Sequence, residues 1–246
     1  MSRKPTGQQK SCDLLAPIEA WFERQGWTPL PFQRQCWQAY LAGESGLIQV
    51  PTGSGKTYAA VMGPIAEFLA EPSPGLRLLY LTPLRALSRD LALAIQQPIA
   101  AMGWPLRVGI RNGDTSSYER GKQLRSPPEI LITTPESLSL LLANPKAPAL
   151  FAGLRAVVID EWHELMGSKR GSQTELCLSW LRSQRPGMRT WAISATIGNL
   201  DEAARSALGA GSEPRLITAP IARATEIRSL LPESIDGFPW AGHLGL

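Results

Sequence analysis

Histidine and cysteine are scarce in this chain, and their scarcity closes off several kinds of chemistry. Among 246 residues only His163 and His243 are histidines, and only Cys12, Cys36 and Cys177 are cysteines. Three thiols, odd in number, far apart and without a Cys-x-x-Cys pair, build neither a disulfide framework nor a zinc site. They read as the reduced thiols of an intracellular protein. Long apolar runs are lacking too: nowhere do eighteen uncharged apolar residues follow one another, and residues 1–10 are polar and basic where a signal peptide would be apolar. A soluble, cytoplasmic protein with no membrane partner is expected. The excess of one charge is small, +4, which leans toward a polyanionic partner without demanding one.

What is present is enough apolar material, 43% of the residues, to bury the core of one large α/β domain. The expected division is a flexible tail over 1–12, one domain over 13–218, and a linker over 219–246. Helical spacing of Leu15, Ile18, Trp21 and Phe22 predicts a helix over 14–25, and a second is expected over 32–42. Short apolar runs then alternate with helical stretches, at 47–50, 78–82, 107–110, 130–133, 156–160, 190–194 and 216–218. Between them the strongest helix is predicted over 84–97, with Leu84, Leu87, Leu91 and Ile95 on one buried face. Continuous Val, Ile and Leu strands separated by helices predict a mostly parallel central sheet covered on both faces. Ligands bind such sheets where strands end and helices begin, and the unusual residues of this sequence lie there. Trp162, Trp180 and Trp191 are expected to pack the core. The stretch after Pro220 loses the alternation.

The segment Thr52-Gly53-Ser54-Gly55-Lys56-Thr57 follows a strand and opens a helix, the context of a phosphate-binding loop. Glycines let successive N–H groups face inward, and the helix N-terminus adds partial positive charge at the same point. A triphosphate, ATP, fits this pattern, with Lys56 on its β and γ phosphates and Thr57 holding Mg2+. Val50 departs from the general pattern, which begins with Gly. Farther on, a buried strand runs into Asp160-Glu161-Trp162-His163. Two carboxylates at such a strand end need a cation or a task. Asp160 is assigned to the metal and Glu161 to polarising the attacking water. Lys169 and Arg170, read as a Gly-bounded loop, are candidate DNA contacts or a solvated turn.

The cradle, then Asp160 to His163, then Ser194-Ala195-Thr196 resemble motifs I, II and III of superfamily 2 DExH-box helicases. Within them the chain is most similar to Lhr-type helicases, and specifically to the bacterial ligase-associated DNA damage response DExH-box helicases. The stretches that carry this are Leu81 to Leu87, Gly113-Asp114-Thr115-Ser116, Thr133 to Leu138, and Asp160 to Gly171. The resemblance implies a RecA-like P-loop NTPase fold and an ATP hydrolase that moves on single-stranded or partly duplex DNA. It implies that Gln33 reads adenine, with Gln35 a weaker competitor, and that His163, Ser194 and Thr196 couple hydrolysis to movement. It places nucleic-acid backbone contacts at Thr82 and Arg85 and at Thr133, Thr134 and Pro135, although Thr-Pro at these junctions also caps helices. It further implies a second RecA-like domain that 246 residues do not hold, so that this fragment turns over weakly alone. Arg223 and Arg228 stay unassigned. A DNA ligase and a nuclease are the expected repair partners. An RNA helicase, and a non-catalytic nucleotide-gated nucleic-acid-binding module, are the alternatives.

Overall fold

The computed structural model describes residues 7–195, 197–209 and 211–219, with side chains from Asp13 onward. Thr196 and the tail after Ala219, including Arg223 and Arg228, lie outside them. In chain order the elements are α1 (Gly7–Arg24), α2 (Pro31–Leu41), β1 (Gly46–Gln49), α3 (Lys56–Ala70), β2 (Leu78–Leu81), α4 (Ser88–Met102) and β3 (Val108–Arg111). They continue with α5 (Ser117–Arg125), β4 (Ile130–Thr133), α6 (Pro135–Leu142), α7 (Ala147–Leu150), β5 (Ala156–Ile159), α8 (Trp162–Leu165), α9 (Lys169–Gln184), β6 (Arg189–Ser194), α10 (Leu200–Leu208) and β7 (Arg215–Thr218).

Each apolar run expected to be a strand is one. Among the described residues they form one sheet in the order β3-β4-β2-β5-β6-β1-β7, every pairing parallel. Both faces are covered, because alternate residues of each strand enter different cores. Tyr80, Val158, Trp191 and Ile48 face the core built with α1, α2, α3 and α4. Leu79, Val157, Ala192 and Leu47 face the core built with α6, α8, α9 and α10. Trp162 and Trp191 are buried. Trp180 is half-buried, packing edge-on against Phe151 with centroids 6.3 Å apart. No helix among the described residues is long and apolar enough to cross a membrane.

α1 begins at Gly7, inside the stretch expected as a tail, and one expectation needs correction. The helix predicted over 84–97 begins as a 3-10 turn, Arg85–Leu87, before α4 proper. The tighter winding of that turn, three residues rather than 3.6, rotates its side chains off the helical stripe. Leu84 precedes the turn in extended backbone, φ −109° and ψ 111°; it and Leu87 are 49% and 43% exposed, while Leu91 and Ile95 are buried as expected.

At the end of the sheet opposite the strand C-termini, half-buried charges are tied together. Glu67 on α3 accepts two hydrogen bonds from Arg189 Nη2 at 2.7 and 2.8 Å and one from the Tyr40 hydroxyl at 2.5 Å. The Arg189 guanidinium also lies 4.0 Å over the Tyr40 ring. Arg155 Nε approaches the same carboxylate at 3.8 Å. This cluster pins α2 and α3 to the starts of β5 and β6.

Candidate nucleotide site

Strand order decides what meets at the C-terminal edge. Because β5, β6 and β1 are neighbours in register, with Ile159 beside Ala192 and Ser194 beside Gln49, the segments that follow them emerge side by side. From β1 comes the glycine loop, from β5 the carboxylates and from β6 Ser194.

The loop turns through left-handed glycines, Gly53 at φ 74° and Gly55 at φ 84°, and delivers Lys56 at the first position of α3. A Cβ at position 55 would also sit 2.6 Å from Gln33 Nε2, so any other residue there would push the Gln33 amide aside. Ser54 donates to the Pro51 carbonyl at 2.7 Å and so braces the bend. Thr52 and Gly53 are exposed at its tip.

Lys56 is buried, and its Nζ donates to Glu161 Oε1 at 2.9 Å. That contact joins the loop to the carboxylate pair across 105 positions of sequence. Glu161 reaches it from an unusual backbone, φ 45° and ψ 49°, the one positive φ outside glycine among the described residues. Such a conformation costs about 1–3 kcal/mol and persists where surrounding contacts over-determine it. Its partner Asp160 has Oδ1 accepting from the Glu161 amide at 3.0 Å. Burial first, then the charge of Glu161, pushes the Asp160 carboxyl above the usual carboxylate range, with Lys56 acting against both. Two carboxylates thus face one ammonium in a poorly solvated place, so the donor set favours an added cation. Magnesium fits it: an oxygen-only ligand set of Asp160 and Thr57, with no protein cage, matches an ion that completes its shell from waters and phosphates. Among the described residues no group of three or more His, Cys, Asp or Glu side chains could hold a metal by themselves.

His163 and Ser194 come together as well. Ser194 Oγ lies 2.9 Å from His163 Nδ1, and the same nitrogen is 3.5 Å from Glu161 Oε2. A chain therefore runs Ser194, His163, Glu161, Lys56. It links the end of β6 to the glycine loop through the carboxylate expected to orient water. Gln33 is buried beside the loop, its Oε1 accepting from the Leu30 amide at 2.8 Å and its Nε2 donating to the Gly55 carbonyl at 3.1 Å. An amide has two donors and two lone pairs, so one of each is left for a base edge.

On the other half of the same edge, β2 and β4 bring the segments from Thr82 and Thr133 together, Thr82 N donating to Thr133 O at 3.0 Å. Their side chains do not reach outward as a backbone-contact set would. Thr82, Thr133, Thr134 and Pro135 are buried; Thr133 Oγ1 donates to Arg111 O at 2.6 Å, and Thr134 accepts from Ser137 N as the cap of α6. Arg85 is exposed, 3.7 Å from Asp114.

Lys169 and Arg170 are not in a loop. They form the first turn of α9, with Ser168 accepting from Gly171 N as its cap, because a side-chain cap satisfies the free amides of a helix start. Lys169 is exposed, whereas Arg170 bonds to Glu136 at 2.5 Å and to the Pro83 carbonyl at 2.8 Å. It thereby clamps the segments after β2 and β4 to the helix that follows the carboxylates. The fit around Gly171 is tight, a Cβ there falling 2.0 Å from the Leu165 carbonyl oxygen. Gly171→Ala should therefore cost about 1–3 kcal/mol as an overpacking change, read as a lower urea midpoint at unchanged m-value.

Reading the sequence by motif missed the role of Arg170 as a clamp, and passed over the lone hydroxyl of Tyr80 in the all-buried strand Leu-Leu-Tyr-Leu.

The parallel sheet, the glycine cradle and the carboxylate pair at its edge define a RecA-like P-loop nucleotide-binding domain. A family model described as DEAD/DEAH box helicase matches residues 30–203, and the chain belongs to that family. It is 36% identical over 235 residues to the ATP-dependent helicase Lhr-Core protein 2 of Thermococcus barophilus, spanning 87% of this chain and 27% of that one. It is 34% identical to the Lhr helicase/uracil glycosylase of Escherichia coli over 94% of this chain and 16% of that one. A solved structure of Mycobacterium smegmatis helicase Lhr bound to ssDNA and AMP-PNP superposes with a TM-score of 0.78 at 34% identity, over 85% of this chain and 28% of that one. The chain thus spans about a quarter or less of these relatives, and the resemblance to Lhr-type helicases holds.

Proposed function

We propose that the chain is the ATP-binding motor domain of an Lhr-type helicase or translocase that acts on single-stranded or partly duplex DNA in repair, its site completed by a second RecA-like domain. The observation that carries this reading is the 2.9 Å contact of Lys56 with Glu161, by which cradle and carboxylates share one place. Lys56 holds the β and γ phosphates once ATP displaces Glu161 from it. Asp160 and Thr57 hold Mg2+, which when bound neutralises charge developing on those phosphates. Glu161, released from Lys56, orients the attacking water, while Gln33 keeps one N–H and one lone pair for adenine.

His163 and Ser194 transmit the position of Glu161 to β6. Buried hydroxyls at 82, 133 and 134 move the nucleic-acid reading from side chains to the backbone amides of their junctions and to Arg85 and Lys169, a sequence-independent grip. The similarity of Asp160 to Gly171 to ligase-associated helicases supports a DNA ligase and a nuclease as partners. The bacterial relative's name includes a uracil glycosylase; that activity is no part of the proposal.

The test is ATP turnover by this chain alone and by the chain extended through a second RecA-like domain, with single-stranded DNA, with RNA and with neither. DNA-stimulated turnover in the extended form, abolished by Lys56→Ala, is expected, with weak turnover by the chain alone. Stronger stimulation by RNA would move the reading to an RNA helicase. DNA affinity retained in Lys56→Ala with no turnover in either parent form would leave a nucleotide-gated binding module.

A further inference from the structure

Tyr80 carries a hydroxyl that the structure leaves without a hydrogen-bond partner, although the residue is fully buried. Unpaired polar groups in an interior are disfavoured, and phenylalanine would fill the same space without the penalty. The sheet explains where the ring points. Tyr80 pairs in register with Val158, and both face the α3 side. Side chains alternate along a strand, so Asp160, two residues beyond Val158 and directly following β5, leaves the sheet toward that same side. Thr57 is in the first turn of α3, the helix packed on this face. Burial first, then the neighbouring Asp160 carboxylate, holds the Tyr80 phenol well above its ordinary range, with the Thr57 hydroxyl acting the other way.

We propose that Tyr80 is a positioning residue of the magnesium-nucleotide site, its hydroxyl accepting from Thr57 and donating to Asp160 when the site is loaded. The inference rests on the nucleotide-site reading above and deepens it. A threonine hydroxyl that gives a lone pair to a cation has its proton directed away from that cation, and needs a buried acceptor. The Tyr80 oxygen supplies one. Asp160 has Oδ1 engaged by the Glu161 amide, so a donor behind the carboxylate fixes its rotation about the side-chain axis. One phenol thus ties both protein ligands of the ion to a central strand, in the manner by which outer hydrogen bonds orient metal ligands elsewhere.

The experiment compares the parent with Tyr80→Phe by titrating fluorescent ADP with Mg2+ and with EDTA, alongside melting of the nucleotide-free proteins. The expected result is threefold. Nucleotide affinity in EDTA stays within about twofold of the parent, the tightening brought by Mg2+ shrinks about tenfold, as loss of a hydrogen bond to a charged group predicts, and the melting temperature without nucleotide holds or rises. Tightening by Mg2+ undiminished in Tyr80→Phe overturns the proposal alone. A lower melting temperature with affinity lost equally in Mg2+ and EDTA also overturns it, because that is the signature of a merely structural tyrosine. If the parent itself binds no nucleotide in Mg2+, the nucleotide-site reading fails and the proposal falls with it.

Discussion

Glu161→Gln should lower ATP turnover of the two-domain form by about 10²–10⁴-fold, the range a positioned general base contributes, while nucleotide affinity holds or improves. The two halves of this expectation come from one geometry. Glutamine keeps the size of the side chain and an acceptor for Lys56, but it cannot draw a proton from water. It also withdraws the negative charge that pairs with Lys56 at 2.9 Å and that raises the Asp160 carboxyl. In the parent, an incoming phosphate must take Lys56 from Glu161; in the variant that competition is weaker. Single-turnover hydrolysis and a fluorescent-nucleotide titration measure the two halves separately. Turnover within about threefold of the parent would mean that some other group handles the water.

A second large effect is expected far from that chemistry. Glu67→Ala should destabilise the fold by about 3 kcal/mol, because it leaves the Arg189 guanidinium and the Tyr40 hydroxyl without their shared acceptor in a site sheltered from water. For a chain of this size the loss corresponds to a fall in melting temperature of about 6–12 °C. Glu67→Gln, which keeps an acceptor for Tyr40 but loses the charge, should fall between the two. The arginine can stay stacked on Tyr40 in either variant, so the effect is that of stranded donors and not of lost packing. A melting temperature unchanged in Glu67→Ala would show that water reaches these groups freely and that the cluster is decoration.

Much of the architecture could be read before any coordinates because it rests on local chemistry. Strands buried on both faces need near-continuous Val, Ile and Leu, and the runs at 78–81, 130–133 and 156–159 have little else. The glycine loop was legible for a similar reason, since the conformations of Gly53 and Gly55 exclude most other residues. What escaped depended on tertiary partners. Leu84 and Leu87 continue a perfect apolar stripe in sequence, yet Leu84 sits in extended backbone and Leu87 ends a 3-10 turn, which takes both out of it. Arg170 reads as a free charge until α9 sets it against Glu136 and Pro83.

The threonines at 82, 133 and 134 look like phosphate ligands by position, but the strand ends turn them inward. The pair Ser194 and His163 was expected as two motifs acting in concert; that they touch, 31 residues apart, follows only from β5 and β6 lying side by side.

The outermost strand on the nucleotide half has a practical bearing. β7 is the last element described and shields β1, pairing with it from Gly46 to Gln49, immediately ahead of the glycine loop. A shortened chain ending before Arg215 would expose the amides and carbonyls of β1 as an open ribbon, a template for self-association. Solubility and phosphate binding would be damaged by the same cut, so anyone trimming this domain for crystallisation or grafting should treat residues 215–219 as part of the motor and not as its trailing end.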